Sequence, residues 1–308
     1  MNDVTASHRV GRSPCAYLRG MASFYQSPAV KERVLQLYDE KLTEIPLDVE
    51  HLDVPTQFGN THVLRTGRRD GPIAVLLHGA NAMAPIALEA MRGLAQDFQL
   101  IVPDIPGQPN RSAETRISMR GNDYGAWCNE VLMEMDLQDV TLVGASLGGM
   151  ISLKTLLDDE SRIRRAYLLM PAFIVNGNPL KTIWKVYLPM RRYGKTSDAA
   201  ALDEFVDGLF TDADPFAPKF FDAVFGKFEM DQSWVPTITR REAQSLNRPV
   251  TIFGAADDLF FPGEKMGRRV RKVFPAAAEF VLLEHSKHVP GKVQLEKITQ
   301  KILSDLMD

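Results

Sequence analysis

A serine hydroxyl is a poor nucleophile until a base takes its proton. Ser146 lies in Gly144-Ala145-Ser146-Leu147-Gly148-Gly149, between the apolar run "VTLV" (140–143) and the helix-forming stretch "MISLKTLL" (150–157). This is G-x-S-x-G at a strand-to-helix junction, the context in which that pattern carries chemistry. Glycines two before and two after the serine leave room for a strained turn. The turn lifts the hydroxyl above the carboxyl end of the sheet. It also sets the serine at a helix N-terminus, where free N–H groups and the helix dipole favour negative charge.

The base must be one of six histidines. His8 lies in the N-terminal tail, and His51 and His62 fall in an early hairpin, away from the elbow. His78 ends a strand before a glycine turn and reads as a residue that orders its loop. His285 and His288 follow the last apolar run, where a base belongs in a serine–acid–histidine order. His288 is the deeper of the two and just precedes the last helix, so it is the expected general base; His285 reads as a surface residue. The acid belongs after the preceding strand "PVTIF" (249–253), in Gly254-Ala255-Ala256-Asp257-Asp258-Leu259-Phe260-Phe261-Pro262. A carboxylate there holds the useful imidazole tautomer and stabilises the imidazolium. Counting forward from Pro249 and back from Pro262 points to Asp258, with Asp257 as the alternative. Acyl transfer also needs donors for the oxyanion. The N–H of Leu147 is one, and the loop His78-Gly79-Ala80-Asn81 supplies the other, Ala80 before Asn81.

The elements that must position these groups are legible as short apolar runs at 73–79, 99–104, 139–144, 165–171, 249–254 and 279–284, of the kind buried on both faces of a parallel sheet. An early hairpin over 50–67 precedes them. Helical spacing of apolar residues recurs at 85–97, 122–136, 148–158, 264–273 and 292–307. Alternating strands and helices make an α/β chain. The rhythm breaks between the strands near 170 and 250, where about 75 residues are too many for a bare loop. That stretch is rich in aromatic residues, among them Trp184, Phe205 and Phe221. It reads as a separate helical unit whose apolar side chains line an acyl or alcohol pocket.

Composition sets outer bounds. The chain has 308 residues, 45% apolar and 24% charged, with a net charge of −3. Nothing there favours nucleic acid or an anionic membrane as partner, and no apolar run reaches the ~18 residues of a membrane span. Cys15 and Cys128 make neither a disulfide framework nor a metal spacing. The polar N-terminus lacks the core of a secretory signal, so the cytoplasm is the expected location. Residues 1–26 read as a poorly ordered extension.

"LLHGA", "DIPGQPNRS", "DYGAW", "VGASLGGM", "GAADDLFFP" and "SKHVP" resemble, in kind and order, the blocks of the α/β-hydrolase superfamily over residues 46–305. The first three, after "PTQFGNTHVLRTG", are similar to a bacterial carboxylesterase subgroup. The resemblance implies a mostly parallel eight-stranded sheet flanked by helices. The core would be 27–173 and 248–308, with a helical cap over 174–247, inserted after strand 6. It implies Ser146, His288 and Asp258 as catalytic residues and a small-molecule carboxylic ester with a hydrophobic portion as substrate, with no metal or other cofactor. Asn81, Phe173 and Trp184 are the expected substrate contacts. The turn before the acid is one residue longer than usual in that family, which keeps Asp257 open. Serine at 146 argues against the aspartate-nucleophile branches. The same triad could serve a C–C, thioester, lactone or amide bond, and a non-catalytic ligand-binding protein is the remaining alternative.

Overall fold

The computed structural model describes residues 23–276 and 278–306. Of the extension expected over 1–26, residues 1–22, Cys15 among them, lie outside the described residues. Its last residues do not hang free. Tyr25 is buried and bridges Phe228, and the Gln26 N–H donates to the Lys227 carbonyl.

The strands are β1 (Glu50–Thr56), β2 (Gly59–Gly67), β3 (Ile73–Leu77), β4 (Gln99–Pro103), β5 (Val140–Ala145), β6 (Ile163–Leu169), β7 (Val250–Ala255) and β8 (Glu279–Leu283). They form one sheet in the order β1-β2-β4-β3-β5-β6-β7-β8. β1 and β2 are a hairpin, β2 runs antiparallel to β4, and the remaining pairs are parallel. Alternation along β3 shows why these runs are apolar throughout. Ala74 and Leu76 join the core on one face, and Val75 and Leu77 join the core on the other. Successive side chains of a strand point to opposite faces, so a strand sandwiched between helices can spare no polar position.

The helices are α1 (Pro28–Thr43), α2 (Ala84–Ala90), α3 (Asp123–Glu134), α4 (Leu147–Asp158), α5 (Pro179–Thr182), α6 (Leu188–Thr196), α7 (Ala199–Leu209), α8 (Phe216–Val224), α9 (Arg240–Gln244), α10 (Gly263–Val273) and α11 (Lys292–Ser304). α1, α2 and α11 cover one face of the sheet, and α3, α4 and α10 the other. α5 to α9 lie between β6 and β7, where the sequence called for a separate helical unit. Within it Phe205 meets Phe221 and Phe225 edge-on, at centroid separations of 5.0 and 4.8 Å. These rings bury one another, which accounts for much of the aromatic density.

α1 was not among the helices read from periodicity. Its start carries a sequence signal all the same: Ser27 caps the helix through its side chain and Pro28 stands at the first helical position. The helix braces α2 and α8 through Lys41, whose side chain is 6% exposed. Its Nζ lies 2.7 Å from Glu89 and 3.1 Å from Glu44, and 4.9 Å from the Phe216 ring centroid. Burial works against the ammonium charge, but hydrogen bonds to the two glutamates outweigh it and raise the Lys41 pKa.

Candidate active site

The elbow is strained as its glycines foretold. Ser146 sits at φ 53°, ψ −110°, at the N-terminus of α4. For a residue with a Cβ this costs on the order of 1–3 kcal/mol and persists only where the surroundings impose it. Here they do: the Ser146 N–H donates to the Leu169 carbonyl (2.9 Å), and its own carbonyl accepts from Ala172 (3.0 Å) and Met150 (3.2 Å). The flanking glycines are there for close approach. A Cβ on Gly148 would lie 2.1 Å from the Leu77 carbonyl oxygen, and one on Gly144 would lie 2.3 Å from that of Gly148.

Topology brings the other groups to the same edge. β3 lies beside β5, with Leu77 opposite Gly144, so the loop after β3 leaves the sheet next to the elbow. A Cβ on Gly79 would stand 3.5 Å from that of Ser146. β7 supplies the acid turn and β8 the histidine loop. His288 Nε2 lies 3.1 Å from Ser146 Oγ, and its Nδ1 lies 2.8 Å from Asp258 Oδ2. With Nδ1–H donated to the carboxylate, Nε2 is left as the acceptor that faces the serine hydroxyl. The Asp258 side chain has no solvent exposure. Its desolvation is offset by three donors: the imidazole and the N–H groups of Phe260 (2.7 Å) and Phe261 (3.1 Å), both on Oδ1. Asp257, one residue earlier, is exposed and turned away, its N–H held by the Ser286 carbonyl at 2.9 Å. His285 is an exposed turn residue at φ 52°.

In the loop after β3 and at the elbow, the N–H groups of Ala80 and Leu147, the expected oxyanion donors, have no hydrogen-bond acceptor among the described residues. The Asn81 N–H is already given to Gln108 Oε1 (2.7 Å), which leaves Ala80 as the loop's free donor. Gln108 is one of the residues that sequence reasoning missed. It belongs to "DIPGQPNRS", a segment hydrogen-bonded to the loop after β3. Asp104 accepts the Ala84 N–H (2.8 Å), and the Ile105 N–H donates to His78 Nε2 (3.0 Å). His78 gives its Nδ1–H to the Gly79 carbonyl (2.7 Å). Fully buried, it has its pKa lowered by desolvation. It orders the loop as a neutral ring, the role expected for it.

Phe260 and Phe261 were also missed as functional side chains. Their ring centroids lie 4.9 and 5.6 Å from that of His288, walling the imidazole from water and limiting its rotation. Their position just before Pro262 was the available signal. Two expected substrate contacts need correction. Phe173 is 4% exposed and belongs to the core on the α4 side of the sheet, with the Lys154 ammonium 5.1 Å from its ring centroid. Trp184, in a π-helical turn between α5 and α6, is 69% exposed, so its indole faces solvent instead of a pocket.

Among the described residues, no group of three or more His, Cys, Asp or Glu side chains is placed to hold a metal ion, and no helix is long and apolar enough to cross a membrane. The family model described as alpha/beta hydrolase fold matches residues 72–292. The chain is 25% identical over 283 residues to carboxylesterase YbfK of Bacillus subtilis (strain 168), spanning 89% of this chain and 93% of that protein. Among solved structures, naproxen esterase (carboxylesterase NP) from Bacillus subtilis has a TM-score of 0.79 at 20% identity, covering 91% of this chain and 99% of that one. Carboxylesterase CesB (YbfK) from the same organism gives 0.78 at 22% identity, over 90% and 98%. At such identities the structural likeness is one of fold.

Proposed function

We propose, from the premise that the chain belongs to the α/β-hydrolase fold family, that it is a carboxylesterase that works through an acyl-enzyme on Ser146. The observation that carries this reading is the unbroken line from Ser146 Oγ through His288 to Asp258, at 3.1 and 2.8 Å, beside two N–H groups left without acceptors. Ester as the bond is supported by the relatives whose names specify a carboxylesterase and a naproxen esterase. An apolar portion on the substrate suits the rings of Phe260 and Phe261 against His288.

In this mechanism His288 Nε2 takes the Ser146 proton as Oγ attacks the ester carbonyl. The oxyanion is received by the N–H groups of Ala80 and Leu147, donors of a kind worth about 3–4 kcal/mol each. The imidazolium, stabilised by Asp258, returns its proton to the departing alcohol and leaves the acyl group on the serine. Water then repeats the attack with His288 as base. The cycle consumes the ester and one water.

The test pairs labelling with turnover. A fluorophosphonate should label the wild-type protein and not Ser146→Ala. p-Nitrophenyl esters of medium chain length should turn over faster than matched thioesters, lactones, amides or diketones. Absence of label on wild type would sink the nucleophile. Faster turnover of another bond class would sink the ester.

A further inference from the structure

We propose that Thr211, in the turn between α7 and α8, is a positioning residue that holds the catalytic histidine from the cap side. The inference rests on His288 being the base. β8, which precedes that histidine, lies three strands from β5, which carries the nucleophile. At about 4.8 Å per strand the imidazole must be brought back about 14 Å across the sheet. A loop does this, between Leu283 and the start of α11 at Lys292. A loop of that reach needs fixing from outside itself.

Asp258 and the two phenylalanines hold the ring. The backbone on either side of it is held by the cap. The Thr211 hydroxyl accepts the Lys287 N–H at 2.9 Å and donates to the Val289 carbonyl at 2.8 Å. One side chain thus ties the residue before His288 to the residue after it. The Thr211 N–H donates to the same Val289 carbonyl (3.0 Å), and the Val289 N–H donates to Leu209 (2.9 Å). Asp212, next in the chain, accepts the Lys292 N–H (2.8 Å) at the start of α11. Cap and base therefore share one clasp, and the Nε2–Oγ separation depends on a residue that touches no reacting atom.

Thr211→Val keeps the branched shape and removes the hydroxyl; Thr211→Ser keeps the hydroxyl. Turnover of p-nitrophenyl butyrate is measured per serine titrated with a fluorophosphonate, so loss of folded protein lowers the titre and not the rate per site. Thr211→Val should reduce kcat per titrated site by about 10- to 100-fold, the scale of a base displaced by about 1 Å, with KM within about twofold. Thr211→Ser should recover to within about threefold of wild type. Full kcat per site in Thr211→Val, or no recovery in Thr211→Ser, would overturn the proposal. His288→Ala serves as the separate control. Its loss of turnover alongside an active Thr211→Val refutes the clasp alone, whereas an active His288→Ala refutes the triad reading and the clasp with it.

Discussion

Replacing Asp258 by Asn removes a charge and almost no volume, and the structure dictates how the new amide must sit. Asp258 Oδ1 accepts two backbone N–H groups, from Phe260 at 2.7 Å and Phe261 at 3.1 Å. An asparagine that turned its NH2 toward them would lose two hydrogen bonds worth about 1 kcal/mol each and oppose donor to donor. A preference of about 2–3 kcal/mol thus keeps the amide oxygen on the backbone side. The NH2 then faces His288 Nδ1, which has to accept. The ring proton moves to Nε2 and points at Ser146 Oγ, where an acceptor is needed. Together with the lost carboxylate charge, this should reduce kcat by about 10⁴-fold, the loss produced by the same tautomer error in a serine-protease triad; that is about 5 kcal/mol of barrier. Asp257 is exposed and its carboxylate has no hydrogen bond among the described residues, so Asp257→Asn should alter kcat by less than about twofold. The assay is p-nitrophenyl butyrate hydrolysis with thermal unfolding of each variant as the folding control. A stable Asp258→Asn within about tenfold of wild type would refute the reasoning, as would an Asp257→Asn with the larger loss.

Two further outcomes follow from the strained elbow and from two desolvated imidazoles. Ser146→Gly and Ser146→Ala should both be inactive, but the glycine variant, free of the Cβ penalty at φ 53°, should be the more stable by about 1 kcal/mol, or about 2 °C in Tm; equal Tm values would mean that the turn stores no such strain. Burial lowers the pKa of His78 below its ordinary 6.5, and partial desolvation with the neighbouring His62 lowers that of His51, an exposed residue with the smaller share of the effect. The unfolded chain therefore takes up these protons first as pH falls. Their contribution to stability is complete above about pH 6.5 and is lost as pH falls toward the depressed values. The urea midpoint should decline from about pH 7 to about pH 5, and a flat profile would contradict the assignment.

What could be read without coordinates was what local order encodes. A nucleophile elbow is a strand, a glycine-framed serine and a helix within about a dozen residues. Ser146 therefore announces itself, and so do the runs that become β3, β5 and β7, because burial on both faces leaves nearly every position apolar. Chain order then narrowed the histidines to two and the acids to two neighbours. The choice between Asp258 and Asp257 belongs to tertiary structure, since the Asp257 N–H pairs with Ser286 and turns that side chain outward while the next one turns in. The same holds for Phe173 and Trp184. Their chemistry suited a pocket, but whether a ring meets substrate, core or solvent depends on how the cap helices pack. The clasp of Thr211 on either side of His288 joins segments 76 and 78 residues apart. No spacing rule reports such a contact, because it exists only once the cap has docked over the carboxyl edge of the sheet.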